Sequence, residues 1–271
     1  MLCARCQAPL PPSRSKCPLC GMWNFGDEGL KADALMSLSD VKASDVQRYE
    51  TGICDPIFGK DAATGKCGIP TISVTLLGGS PGAGKSRVSL QIADALANIT
   101  QRDTLLLPNE MSGPEIKLYA DAMGLKFTDR IRIPSTFAGA SAILGVGFLD
   151  LVKKLNPGCV ILDSLSKATT DERERVHICN ELKRASVLVK APVIIIDHIT
   201  KEGDFAGVMT LQHDVDNVVT LIRLDDQFRE LCTWKNRFMN GPTPYRYYMR
   251  TCDAGLVHDA QYQALMDQKS A

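Results

Sequence analysis

The chain has no excess of either charge: lysine plus arginine and aspartate plus glutamate number 31 each. A strongly basic chain would argue directly for nucleic acid; this balance confines any such contact to a local patch, such as the lining of an assembled pore. No apolar run is long enough to cross a bilayer. The first residues, MLCARCQAPLPPSRSKC, lack the apolar centre of a signal peptide. The expected location is therefore the cytoplasm, with no membrane partner. No internal repeat and no low-complexity tract is present. What remains is an ordinary globular composition, with 271 residues enough for one sizeable domain and a small appendage.

The most informative stretch is Gly79 to Ser86, GSPGAGKS, with the Walker A spacing G-x-x-x-x-G-K-S. Glycines let the backbone turn tightly and bring its N–H groups against an anion with no Cβ between. Those N–H groups cradle phosphates at a helix N-terminus. The residues Gly79, Ser80, Pro81, Gly82, Ala83, Gly84, Lys85, Ser86 and Arg87 are thus expected to form the nucleotide-binding loop and its exit. Lys85 supplies charge to the β- and γ-phosphates, and Ser86 offers a hydroxyl to Mg²⁺. The apolar, β-branched run before the loop reads as a buried strand, and SRVSLQIADALA after it as a helix.

The ten cysteines fall into two groups. Cys3, Cys6, Cys17 and Cys20 form two C-x-x-C pairs separated by ten residues. Two such turns make a tetrahedral zinc site, and in a short segment with little apolar sequence a metal is the source of order. Disulfides or a redox pair are the alternatives. The other six read as core residues or idle thiols. Residues 1–24 are assigned to a zinc module, 25–50 to a linker and 51–271 to the core.

Within the core, short apolar strands alternate with helical segments, which indicates an α/β fold: a mostly parallel sheet with helices on both faces. SAILGVGFLDLVKKL reads as one helix, stopped by Asn156-Pro157-Gly158. After Asp216, NVVTLIRL, RELCTWKN and TPYRYYMR read as hairpin-connected strands that extend the sheet in antiparallel fashion. Tyr245, Tyr247 and Tyr248 cover that sheet on this reading, with base stacking the alternative.

Three strand ends carry chemistry. Asp163 ends CVILD as a Walker B carboxylate does, placed to hold Mg²⁺ through water. Glu110 follows TLLLP; it either orients or deprotonates an attacking water, or serves the next helix as an acid near its N-cap. His198 ends PVIIIDH and either senses a γ-phosphate or satisfies a loop hydrogen bond.

These motifs together resemble the bacterial RadA proteins, also called Sms, DNA recombination and repair ATPases of the RecA superfamily. CARC…CPLCGMWN is similar to their zinc finger, and GSPGAGKS and VILDS to their Walker elements. HITKEGDFAG at 198–207 is similar to the loop after their sensor strand, and KNRF at 235–238 to their signature motif. The resemblance implies a RecA-like P-loop core, with Mg²⁺ and Zn²⁺ as cofactors and ATP as substrate. It implies that Glu110 is the catalytic carboxylate and that Lys201 faces DNA in a central channel. Lys235 and Arg237 would reach the γ-phosphate of an adjoining subunit, where charge supplied in trans makes hydrolysis depend on assembly. The implied partners are single-stranded or branched DNA, further copies in a hexameric ring, and a RecA-type recombinase or single-strand-binding protein. The implied activity is that of a ring helicase or branch-migration motor, with an ATP-switched annealing or mediator protein as alternative. A DnaB-type replicative helicase and a KaiC-like ATPase without nucleic acid are further alternatives. Four departures accompany the resemblance, one of them the short segment SKATTDERER after Asp163, where the family has a longer loop. The Lon-protease-like domain that follows the RadA core is expected to be absent. Gly207-Val208-Met209 replaces Gly-Pro-Arg, losing an expected DNA-facing arginine, and KNRFMNG replaces KNRFG. Compact cores of this kind also occur in bacteriophages.

Overall fold

A computed structural model describes residues 37–40, 46–61, 64–137, 139–145, 147–198, 209–238 and 245–270. Cys3, Cys6, Cys17, Cys20 and Lys201 lie outside the described residues. One compact unit runs from Val46 to Ala271; before it, Leu38–Asp40 forms a single 3₁₀ turn.

Two short antiparallel strands, β1 (Arg48–Tyr49) and β2 (Ile69–Pro70), open the unit. The larger sheet contains β3 (Val74–Gly79), β4 (Thr104–Pro108), β5 (Ile131–Arg132), β6 (Cys159–Asp163), β7 (Val193–His198), β8 (Asn217–Arg223), β9 (Phe228–Asn236), β10 (Tyr245–Cys252) and β11 (Gly255–His258). Their spatial order is β11-β10-β9-β8-β3-β7-β6-β4-β5. The helices are α1 (Lys85–Thr100), α2 (Gly113–Ala122), α3 (Ala140–Leu144), α4 (Phe148–Leu155), α5 (Leu165–Ala168), α6 (Glu172–Val189), α7 (Met209–Gln212) and α8 (Ala260–Ser270).

The strands that read as continuous apolar runs lie in the middle and are buried on both faces, as a parallel sheet covered by helices requires. Their side chains alternate between two cores. Leu77, Ile161, Ile194 and Ile196 pack with Val88, Ile92 and Leu96 of α1. Leu76, Leu162, Val193 and Ile195 pack on the other face with Ile178, Leu182 and Ala185 of α6. Tyr247 and Tyr248 are buried in the sheet's antiparallel part, so they cover it as expected. Among the six described cysteines, Cys54, Cys159, Cys179 and Cys232 are buried and all six are free thiols.

Two expectations need correction. The strand Asn217–Arg223 does not extend the sheet in antiparallel fashion: it runs parallel to β3, and only β9, β10 and β11 alternate in direction. Asp216 explains the placement. Its backbone N–H donates to Val74 O, and its carboxylate accepts from Val74 N, both at 2.9 Å, which aligns β8 with the start of β3. The helix expected over 141–155 is two helices, α3 and α4, separated where Gly147 takes a left-handed φ of 105°.

Arg48 ties this scaffold together. One terminal nitrogen donates to the carbonyls of Phe58, Gly59 and Gly68 at 2.9, 3.1 and 3.0 Å, and the other to Phe238 O at 2.7 Å. Burial holds its pKa below the ordinary arginine value despite the charge of Asp61. Arg48→Ala leaves four carbonyls without their charged donor. It is expected to destabilise the unit by about 2–4 kcal/mol, measured as a lower urea midpoint at unchanged m-value. A loss under about 0.5 kcal/mol, the range of ordinary surface substitutions, contradicts this.

Candidate functional site

The phosphate loop sits where β3 ends and α1 begins. Its glycines are required by geometry. Gly84 caps α1 in the left-handed region at φ 105°, which L side chains avoid. A Cβ on Gly79 would stand 2.4 Å from Leu221 O of the neighbouring strand. Ser80, Pro81 and Gly82 are exposed, whereas Lys85 is only 6% exposed. Lys85 Nζ donates to Gly79 O at 2.7 Å and Ser80 O at 3.0 Å. Burial lowers its pKa, against the raising influence of Glu110, Asp163 and Asp197.

Those acids come from three parallel strand ends on the loop's side. Asp163 ends β6, and its Oδ1 is buried with no hydrogen-bond partner among the described residues. Burial pushes this carboxyl up, opposed by a hydrogen bond from the Ser86 hydroxyl. An orphaned carboxylate oxygen beside a loop hydroxyl is the donor set that suits a hard divalent cation such as Mg²⁺. No cluster of three or more His, Cys, Asp or Glu side chains that could hold a metal occurs among the described residues. Waters and phosphate oxygens would complete the ion's shell at Ser86 and Asp163.

The cap of the next helix is made by residues other than Glu110. Ser112 is the N-cap of α2 and forms a capping box with Glu115. The strand end before Glu110 is fixed by Asn109 N donating to Asp163 O at 2.5 Å. Glu110 Oε1 accepts from Ser164 Oγ at 2.6 Å and meets His198 Nε2 at 2.5 Å. Burial opposes ionisation of Glu110, but the hydrogen bonds from Ser164 and His198, with the charge of Lys85, bring its pKa below the usual range. An ionised carboxylate only accepts, so Nε2 carries the proton in this pairing. His198 Nδ1 then faces Lys85 Nζ at 3.5 Å. His198 in turn is held by Asp197, whose Oδ1 accepts from the His198 backbone N–H at 2.9 Å. The other carboxylate oxygen of Asp197 pairs with Arg175 of α6.

The structure therefore brings Lys85, Ser86, Glu110, Asp163 and His198 together at one end of the sheet. Lys235 and Arg237 are not among them. Lys235 pairs with Val218, at the opposite end of β8 from Leu221, the partner of Gly79. Its Nζ donates to the carbonyls of Gln212 and Val215. Arg237 follows the end of β9, pairs with Asp216 at 3.2 Å and donates to His213 O at 3.2 Å. Both cations thus engage the same Gln212–Asp216 segment.

A pocket of about 390 Å³ opens beside the loop, within the range of small-molecule sites. Met111 and Leu256 give it apolar walls, and Arg87, Tyr119 and Arg229 line it. The Arg87 guanidinium lies 5.5 Å from the centroid of the Tyr119 ring. Arg229, buried in β9, donates from Nε to Ala83 O at 3.0 Å and so braces the phosphate loop from the antiparallel part of the sheet. Ser164, Arg175, Tyr119 and Arg229 were not singled out from the sequence. Only Ser164 carried a signal, its place directly after the Walker B aspartate.

No protein-family model matches the chain. Curated proteins do. The chain is 28% identical to the DNA repair protein RadA of Treponema pallidum over 265 residues, covering 87% of this chain and 53% of that protein. Identity to RadA of Bacillus subtilis is 28%, over 88% of this chain and 55% of the relative. With RadA of Campylobacter jejuni it is 30%, over 82% and 52%. The chain thus spans about half the length of the curated relatives it matches. Among solved structures, the KaiC-like protein PH0186 from Pyrococcus horikoshii superposes with a TM-score of 0.61 at 18% identity, over 79% of this chain and 99% of that one. The RadA resemblance carried by the motifs extends along most of the chain, and the fold is the RecA-like α/β core expected from the sequence.

Proposed function

We propose that this chain is a Mg²⁺-dependent ATPase that acts on DNA in recombination and repair, assembled so that each ATP lies between two subunits. The observation that carries the reading is the convergence of Lys85, Ser86, Asp163, Glu110 and His198 beside one phosphate loop. Lys85 and the loop amides bind the phosphates. Ser86 and Asp163 hold Mg²⁺, which neutralises phosphate charge when bound. Glu110 takes the proton of the attacking water, and His198 stands where it can meet the γ-phosphate. The base and ribose enter the pocket between Arg87, Tyr119 and Leu256.

The similarity to RadA supports DNA as the polymer acted on. Lys201 is the proposed DNA contact. Lys235 and Arg237 lie at the far end of the sheet from their own phosphate loop, which supports action on a neighbour's nucleotide. A hexameric ring is the assembly in view, with a RecA-type recombinase or single-strand-binding protein as further partner. Residues 1–24, with Cys3, Cys6, Cys17 and Cys20 on Zn²⁺, form a separate module, and the linker expected over 25–50 ends before Val46, where the compact unit begins. Among the described residues no helix is long and apolar enough to cross a membrane.

The test is single-stranded DNA binding followed by fluorescence anisotropy at two salt concentrations, with Lys201→Ala beside the parent. The reading predicts salt-sensitive binding that weakens in the variant. Forked-duplex unwinding against annealing of complementary strands then separates a motor from a clamp. No DNA binding at low salt, with or without ATP, contradicts the proposal and leaves a nucleotide-driven ATPase.

A further inference from the structure

Glu110 is held through one oxygen only. Ser164 Oγ donates to Oε1 at 2.6 Å and His198 Nε2 contacts the same Oε1 at 2.5 Å. Oε2 has no partner among the described residues. The two donors come from different strand ends, Ser164 from the residue after β6 and His198 from the last residue of β7, and neither is free to wander. Ser164 is fully buried, and Asn109 Nδ2 donates to its carbonyl at 3.4 Å. His198 is anchored by Asp197, whose fully buried carboxylate is paired with Arg175.

From this we infer that Ser164 and His198 are positioning residues for Glu110: together they pin Oε1 and turn Oε2 toward the phosphate loop as the atom that receives water's proton. The inference deepens the ATPase reading and rests on it. A carboxylate on a flexible side chain reaches a productive angle only part of the time, whereas two donors on one oxygen fix both the carboxylate plane and the outward oxygen. Because Oε1 is saturated, a water in the site meets Oε2. The charged groups around Glu110 are Lys85 from α1, Asp163 from β6 and His198 from β7. Donation by Ser164 favours the ionised carboxylate, so its loss raises the pH at which the base is half protonated.

The experiment compares Mg-ATP turnover by the parent, Glu110→Gln, Ser164→Ala, His198→Ala and His198→Gln, with binding of a non-hydrolysable ATP analogue measured on each. Ser164→Ala is expected to keep analogue affinity and KM within about threefold, whereas His198→Ala, which also removes a neighbour of Lys85 and the γ-phosphate, is read in kcat alone. Each is expected to lose about 10- to 100-fold in kcat, the worth of a hydrogen bond to a charged group. His198→Gln keeps an N–H donor and is expected to recover part of that loss. The acid limb of kcat is expected to move to higher pH in Ser164→Ala, a change that a merely structural role would not produce. A Ser164→Ala enzyme with the parent's kcat and acid limb overturns the inference, as does a loss confined to KM. Should Ser164→Ala not fold, the histidine pair decides: His198→Ala at the parent's rate, or His198→Gln no better than His198→Ala, overturns it. An inactive parent overturns the ATPase reading itself, and an active parent with Glu110→Gln at full rate overturns Glu110 as its base; an active parent with a dead Glu110→Gln and an unaffected Ser164→Ala overturns only the clamp.

Discussion

Lys85→Ala is expected to bring ATP turnover down by about 10²- to 10³-fold or to background, the scale on which one preorganised charge donor acts in phosphoryl and acyl transfer, while the protein stays folded. Lys85 is buried, yet its ammonium contacts no apolar core: it rests on Gly79 O and Ser80 O with His198 beside it. Burial already disfavours its charged form, so removing it relieves a desolvation cost and leaves two loop carbonyls, one of them on exposed Ser80, to water. The fold therefore loses little. The phosphates lose the cation placed among Glu110, Asp163 and Asp197, and those carboxylates are left to repel them. Thermal melting checks both halves. Mg-ATP is expected to raise the parent's melting temperature through ligand linkage and to leave that of Lys85→Ala unmoved. A variant hydrolysing ATP at the parent's rate would show that the phosphate site lies elsewhere.

Arg237→Ala is expected to bind ATP as the parent does and hydrolyse it about 10³-fold or more slowly, the effect of losing an arginine finger. The geometry behind this is the distance from its own site. β9 runs antiparallel to β8, so the KNRF turn lies at the start of the parallel strands and the phosphate loop at their ends. About three strand residues, roughly 10 Å, separate the Lys235–Val218 pair from Leu221, before any side chain is counted. The Arg237 side chain is half exposed, and Asp216 has a second cation, Lys183 at 3.7 Å, that stays with it when the arginine turns to a phosphate. Asp216 keeps its bond from Val74 N when Arg237 is removed, so the sheet survives the substitution. Mixing gives the decisive outcome. Arg237→Ala and Lys85→Ala, each inactive alone, are expected to regain part of the activity together, because some interfaces pair an intact loop with an intact finger. Mixed assemblies that form, by pull-down, and stay inactive at every ratio contradict action in trans.

The phosphate loop, its strand and helix, and the Walker B strand were legible because each is written locally: glycines at fixed spacing, a β-branched run, an acid at its end. Glu110 and His198 were legible as strand-end residues but not as a pair, since 88 residues separate them in the chain and their meeting is a product of strand order. Ser164 reaches Glu110 across 54 residues for the same reason. The direction of β8 was hidden because a strand's own pattern does not encode its partner; the Asp216–Val74 contact that sets it spans 142 residues. The break between α3 and α4 was available in the glycines at 145 and 147, which the apolar periodicity around them outweighed. Arg229 gave no signal, because an arginine in a hairpin strand reads as solvated until its guanidinium is found on Ala83 O.

The central claim is that this end of the sheet hydrolyses ATP and that DNA governs the rate. The direct measurement is phosphate release from Mg-ATP by the purified chain, with and without single-stranded DNA at low salt. The account predicts turnover that requires Mg²⁺ and rises several-fold or more with DNA. A nucleotide-bound protein that releases no phosphate under either condition, while its melting temperature still rises with ATP, would contradict it.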